Sequence, residues 1–359
     1  MNERPGIAVS HLLTRLRHPD VRGLLPAYFG MVMATGIVSL AVNQIGLRPL
    51  ALVLFAVAWI TYVILWWLMI LRLIRHPRRL FADVTDHMRG PGAFTVVAAT
   101  ALLGNGSVIL TGWTALGFAL WLVAGLLWLV LTYTIFTALT VKEVKPTLNH
   151  GINGAWLLAV VATQSIAVLA TLLSPELPQK LQIIMGFVAV SMWLWGGMLY
   201  IWMMTLIFYR YNFFHFSPGD LSPPYWINMG AMAISTLAGS LLISDAPEAA
   251  FLASILPFLK GMTILFWASG TWWIPMLLVL GVWRHIYKRF PLRYDPLYWG
   301  AIFPLGMYAV ATDRMSLALG LGFLAPLASG FVLAAIGAWL LAFGALVVEL
   351  MRRPLPDPA

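Results

Sequence analysis

The chain has 359 residues, 61% of them hydrophobic and 10% charged, with a formal charge of +9 and no cysteine. Soluble domains carry about 25% charged residues, so this composition excludes a soluble globular fold. The missing cysteines exclude disulfides and thiolate metal centres, and no nucleic-acid-binding motif accompanies the positive charge.

Residues 1–22 are basic, with Arg4, Arg15, Arg17 and Arg22, and lack the apolar core of a cleavable signal. They read as a cytoplasmic segment. Ten stretches follow that can each cross about 30 Å of hydrocarbon. The first, 23–42, holds Pro26, Phe29 and the pair Ala34-Thr35; the second, 51–73, is rich in tryptophan (Trp59, Trp66, Trp67) and runs into Arg72, Arg75, Arg78 and Arg79. The third, 92–110, follows Pro91 and carries Phe94 and Ala99-Thr100, while Gly104-Asn105-Gly106 near its end reads as an external turn. The fourth, 116–140, leads to Lys142 and Lys145. The fifth, 152–173, holds Ala162-Thr163, and the sixth, 181–209, holds Trp193 and Trp202 and ends at Arg210. The seventh, 225–242, holds Ser235-Thr236. The eighth, 251–283, is long, and Pro257 with Lys260 places its first turns outside the hydrocarbon; Arg284, Lys288, Arg289 and Arg293 follow it. The ninth, 298–312, is short and ends on Ala311-Thr312, and the tenth, 321–348, precedes a cytoplasmic tail, 350–359. The expected fold is an all-α integral membrane protein with one membrane domain, 23–349.

A small residue followed by threonine thus recurs in every odd-numbered stretch, at Thr35, Thr100, Thr163, Thr236 and Thr312. The spacing suits a pair of antiparallel helices across a bilayer. Pro26 and Pro91 each stand nine residues before their threonines, and Phe29 and Phe94 each stand six before, as copies of one hairpin would. Fourteen of the 17 tryptophans lie in or beside even stretches, whereas odd stretches are rich in glycine, serine and threonine. Small residues let helix backbones approach closely, and hydroxyls need a polar partner or water. The expectation is five hairpins in pseudo-five-fold order. Odd helices surround a central pore, with the five threonines facing it, and even helices shield them from lipid. For any single threonine the alternative is a bond to its own helix carbonyl.

Eighteen of the 22 lysines and arginines fall on the side of the N-terminus, which the positive-inside rule assigns to the cytoplasm together with the C-terminus. No acidic residue lies deep in a stretch, and all seven histidines fall on the cytoplasmic side. No cofactor or metal is expected, and no catalytic set or nucleotide-hydrolysis motif is visible, so an enzyme is not expected. A pore without a ring of carboxylates, with arginines near its inner mouth, favours anions over cations.

Several runs carry a resemblance: PAYFGMVMATGI from Pro26 to Ile37, GPGAFT from Gly90, NGAW from Asn153 with ATQS from Ala162, PYWINMG from Pro224, and WGAIFPLG from Trp299. Together they resemble the tellurite-resistance/C4-dicarboxylate transporter family, which includes the plant slow anion channels. The resemblance implies ten helices in five hairpins, a pore lined by odd helices, a homotrimer, and a phenylalanine on the ninth helix whose ring plugs the pore. Phe303, directly before Pro304, matches that position. Proline removes a helix hydrogen bond and bends the segment there; Phe29 and Phe94 are further pore-facing candidates. The expected function is transport of small anions, from chloride or nitrate to malate or succinate, by a channel or facilitated transporter. The alternative is a secondary carrier for C4-dicarboxylates or sulfite, coupled to an ion gradient.

Overall fold

The computed structural model describes residues 21–246, 249–292 and 294–352. Most of the N-terminal segment 1–22, including Arg4, Arg15 and Arg17, and most of the tail 350–359 lie outside the described residues, as does Arg293. All regular structure among the described residues is helical. Ten helices exceed a dozen residues: α1 Gly30–Gln44, α2 Arg48–Arg75, α3 Phe94–Thr111, α4 Thr114–Val141, α5 Leu158–Leu173, α6 Gln179–Phe213, α7 Ile227–Asp245, α8 Leu256–Val282, α9 Trp299–Leu319 and α10 Ala325–Arg352. Taken with the 3-10 turns that adjoin them, nine of them, all but α9, are long and apolar enough to cross a membrane.

Helix α9 is longer than its apolar stretch suggests. Asp313 and Arg314 end the hydrophobic run without interrupting backbone hydrogen bonding, and the helix stops only at Gly320, whose φ of 70° forms a left-handed cap. Pro304 lies inside it, and the helix continues through. Gly104-Asn105-Gly106 is not a turn but part of α3. Its glycines give way to neighbours: a Cβ on Gly104 would collide with Leu169 of α5, and one on Gly106 with Phe55 of α2. Close packing, not turn formation, explains this glycine pair.

Each odd-numbered helix begins with a 3-10 turn: Pro26–Phe29, Gly90–Ala93, Gly154–Leu157, Pro223–Trp226 and Pro296–Tyr298. Proline fits here because the first N–H groups of a helix have no carbonyl to meet. Odd helices are mostly buried, α9 least so because its last turn is exposed, whereas even helices bury only a stripe. The odd helices touch in order, α1 on α3, α3 on α5, α5 on α7, α7 on α9, and α9 on α1. Each also packs on the even helix that follows it.

Candidate functional site: two cavities on one helical stripe

Two cavities lie at opposite ends of the odd helices. One, about 30 Å³, sits where those helices begin and is bounded by Met33, Thr95, Leu158, Ile227 and Phe303, one from each. That is room for about one water molecule. The other, about 80 Å³, sits where they end and is bounded by Gln44, Asn105, Val168, Leu241 and Arg314. On each helix the residues at the two ends fall on a single stripe, with steps of seven and four on α1 through Met33, Leu40 and Gln44 and of ten and four on α5 through Leu158, Val168 and Leu172. Between the cavities the stripe reads Ile37, Ala98, Val161, Ile234 and Met307, all apolar and at most 2% exposed. No carboxylate bounds either cavity among the described residues.

Phe303 forms part of the first cavity and is 3% exposed. Pro304 beside it packs on α7, where a Cβ at Gly230 would come within 2.7 Å of the proline Cγ. Phe29 and Phe94 are oriented differently. Phe29 meets Tyr62 and Trp66 of α2 edge-on, at 5.8 and 5.6 Å between ring centres, and Phe94 meets Phe136 of α4 at 6.0 Å. Neither bounds a cavity.

The five threonines differ from the expectation that they face a pore. None bounds either cavity. Thr35, Thr100 and Thr312 stand two residues from the cavity residues Met33, Leu102 and Val310, which at 100° per residue is the far side of the helix. Their hydroxyls are occupied by aromatic groups from even helices. Trp339 of α10 donates to Thr35 at 3.0 Å, Trp128 of α4 to Thr163 at 2.8 Å and Trp267 of α8 to Thr312 at 3.1 Å. Tyr62 of α2 shares a 2.7 Å bond with Thr100. Thr236 donates to its own helix at Met232, and Trp193 of α6 donates instead to the carbonyl of Ser235 next to it, at 2.8 Å. Every even helix therefore bonds the odd helix that follows it in the chain, and α10 bonds α1.

The arginines also follow a repeat that charge counting did not reveal. Arg72, Arg210 and Arg284, at the ends of α2, α6 and α8, donate to the carbonyls of Leu24, Ile152 and Leu221. Each carbonyl lies two residues before the 3-10 turn of the odd helix that precedes the arginine's own helix. Arg72 and Arg210 are further paired with Asp83 and Asp220, ten or eleven residues later. Burial pushes both carboxyls up, but bonds from the two arginines to Asp83, and from Ser217 and Arg210 to Asp220, leave both below the usual carboxylate range. These three arginines fasten the ends of even helices to the segments ahead of odd helices and do not bound the axial cavities.

The polar groups that do reach the cavities are Thr95, Asn43, Gln44, Asn105 and Arg314. Thr95 donates to the carbonyls of Pro26 and Gly92. Asn105 is 2% exposed, with its side-chain oxygen unpartnered. The sequence signal for this set was the three-four step from Thr95 through Ala98 and Leu102 to Asn105, not the repeated dipeptide.

A family model described as voltage-dependent anion channel matches residues 23–347. An uncharacterized membrane protein of Mycobacterium tuberculosis is 36% identical over 154 residues, covering 42% of this chain and 77% of that protein. An uncharacterized transporter of Methanocaldococcus jannaschii is 25% identical over 302 residues, covering 81% of this chain and 84% of that protein. A second transporter of the same organism is 24% identical over 309 residues.

Proposed function

The chain belongs to the voltage-dependent anion channel family, and from that premise we propose that it passes small anions, from chloride or nitrate up to malate or succinate, along the axis of its odd helices. The observation that carries this reading is the stripe: one face of all five helices bounds both cavities and the apolar neck between them. Ten crossings in five pseudo-five-fold hairpins are the matching architecture. It is supported by the closed order of contacts and by the short connections within each helix pair. Arg314 at one mouth and five helix N-termini at the other present positive potential to an anion.

Phe303 is the gate in this proposal. A flat ring at the base of an apolar neck blocks ions sterically and by excluding water. Phe303 touches no other aromatic ring among the described residues, so nothing of that kind holds it in place. Purified protein in liposomes tests the assignment: Phe303→Ala should raise anion flux several-fold, and unchanged flux from correctly folded protein refutes the gate. The distribution of lysine and arginine supports cytoplasmic termini. Family membership supports a homotrimer, which cross-linking in native membranes tests. No enzymatic step is assigned.

A carrier for dicarboxylates or sulfite is the second reading. Asp313, a carboxylate within α9 next to the cavity residue Arg314, favours it. Uptake that stops when a pH gradient is dissipated, with no electrogenic current, would decide for the carrier.

A further inference from the structure

Away from the helical axis, at the end where the odd helices begin, Arg22, Arg72, Arg79 and Arg89 converge with Asp83 around an open cavity of about 370 Å³. The floor is fixed. Arg72 is 1% exposed, donates to Leu24 and Asp83, and leaves its Nε buried without a partner. Asp83 also takes a 2.8 Å bond from Arg89, whose side chain is 61% exposed. Among the described residues Asp83 is the one carboxylate bounding the cavity, and Arg72 and Arg89 already share it, so Arg79 adds a positive charge beyond that cluster. Guanidinium forks in this number suit the oxygens of a phosphate better than a single halide.

The surroundings decide how such a phosphate arrives. The short helix Pro77–Val84 contributes Arg79, Ala82 and Asp83 to the cavity and carries Phe81, 62% exposed. The end of α2 beside it exposes Leu73 and Ile74 at 54% and 71%. Arg79 and Phe81 are two residues apart on this short helix and so point to opposite sides, Arg79 into the cavity and Phe81 outward. A helix of this kind, joined to the end of a membrane-length helix, lies in the interface between headgroups and acyl chains. We propose that this cavity binds the phosphate of an anionic phospholipid, whose acyl chains cover Leu73, Ile74 and Phe81. A soluble phosphate would fill the guanidinium cavity and leave those three side chains uncovered. The site is separate from the axial cavities and does not depend on what they carry.

The test is the apparent dissociation constant for phosphatidylglycerol, read from the shift in unfolding temperature of the full chain in neutral detergent. Phosphatidylcholine and inorganic phosphate serve as the comparison arms. The double variant Arg22→Gln/Arg79→Gln leaves the Arg72–Asp83 pair intact and should bind phosphatidylglycerol about tenfold more weakly. Lys180→Gln, at the start of α6 and remote from this cavity, should bind as the parent does. An equal shift with phosphatidylcholine, or unchanged affinity in a double variant that unfolds at the parental temperature without lipid, overturns the site. A full shift with inorganic phosphate alone assigns a soluble ligand and overturns the lipid.

Discussion

Helices α5 and α6 are neighbours in the chain and both apolar enough to cross a membrane, yet they differ in almost every other respect. Nearly every residue of α5 is buried, from Leu158 to Leu173, whereas α6 buries roughly one residue in three. Helix α5 is built from leucine, alanine, valine, isoleucine, threonine and serine with one glutamine and holds no aromatic residue; α6 carries Trp193, Trp195, Trp202, Tyr200, Tyr209 and several methionines. Hydropathy does not separate them, because lipid tails are as apolar as leucine and burying an apolar side chain among other helices gains little. Side-chain size and the placement of hydrogen-bond partners separate them instead. The difference in burial repeats in the other four pairs, although α9 departs from the difference in side-chain size, with Trp299, Phe303, Met307 and Tyr308 along it.

The most severe way to break the contrast is to enlarge a glycine between odd helices. Gly230→Leu pushes a side chain into Pro304, and overpacking costs about 1–3 kcal/mol or more. The unfolding temperature in detergent should fall by several degrees. Gly125→Leu on α4 and Gly337→Leu on α10, where open space surrounds the glycine, should leave it unchanged or slightly higher. Equal losses at all three positions would erase the distinction between the two sets of helices.

Conduction sharpens it next. Phe29→Leu and Phe94→Leu alter rings that pack on even helices, so anion flux in liposomes should stay within about twofold of the parent. A large rise from either would move the gate away from Phe303. The aromatic bonds come third. Trp128→Phe should cost about 0.6 kcal/mol, the average for hydrogen bonds between helices in a membrane. Thr163→Val should cost a similar amount, and the double variant little more than either single one, because both remove the same bond. Full additivity in unfolding free energies would show that the pair does not interact.

The smallest effect is that of pH. Asp83 and Asp220 sit below the carboxylate value of the unfolded chain, near 4. Their contribution is fully present above that value and is lost as pH falls through the lower folded values. Unfolding temperature should therefore be flat between about pH 5 and 8 on their account and decline only below about pH 4. Replacing both by asparagine should flatten that decline.

Much of this architecture could be read in the chain before its coordinates, because apolar length, tryptophan placement and lysine and arginine counts each report on the bilayer. The threonines show where such reading stops. One of them falls on each odd helix, but a dipeptide gives a position along a helix and not the angle at which it points. That angle depends on which face meets the axis, and two residues of offset reverse it. Gly104 and Gly106 had the composition of a turn, and only Leu169 and Phe55 pressed against them reveal why glycine is needed. Arg72, Arg210 and Arg284 counted towards orientation, while their bonds to Leu24, Ile152 and Leu221 join residues 48, 58 and 63 positions apart. Phe303 stood out only through its resemblance to a known motif.

The bond from Trp339 to Thr35 joins residues 304 positions apart. During synthesis Thr35 is made 304 residues before its partner, so α1 enters the bilayer with that hydroxyl waiting for an indole not yet translated. A nascent chain released before residue 339 would leave one flank of α1 facing lipid, a form that membrane quality control can recognise as incomplete.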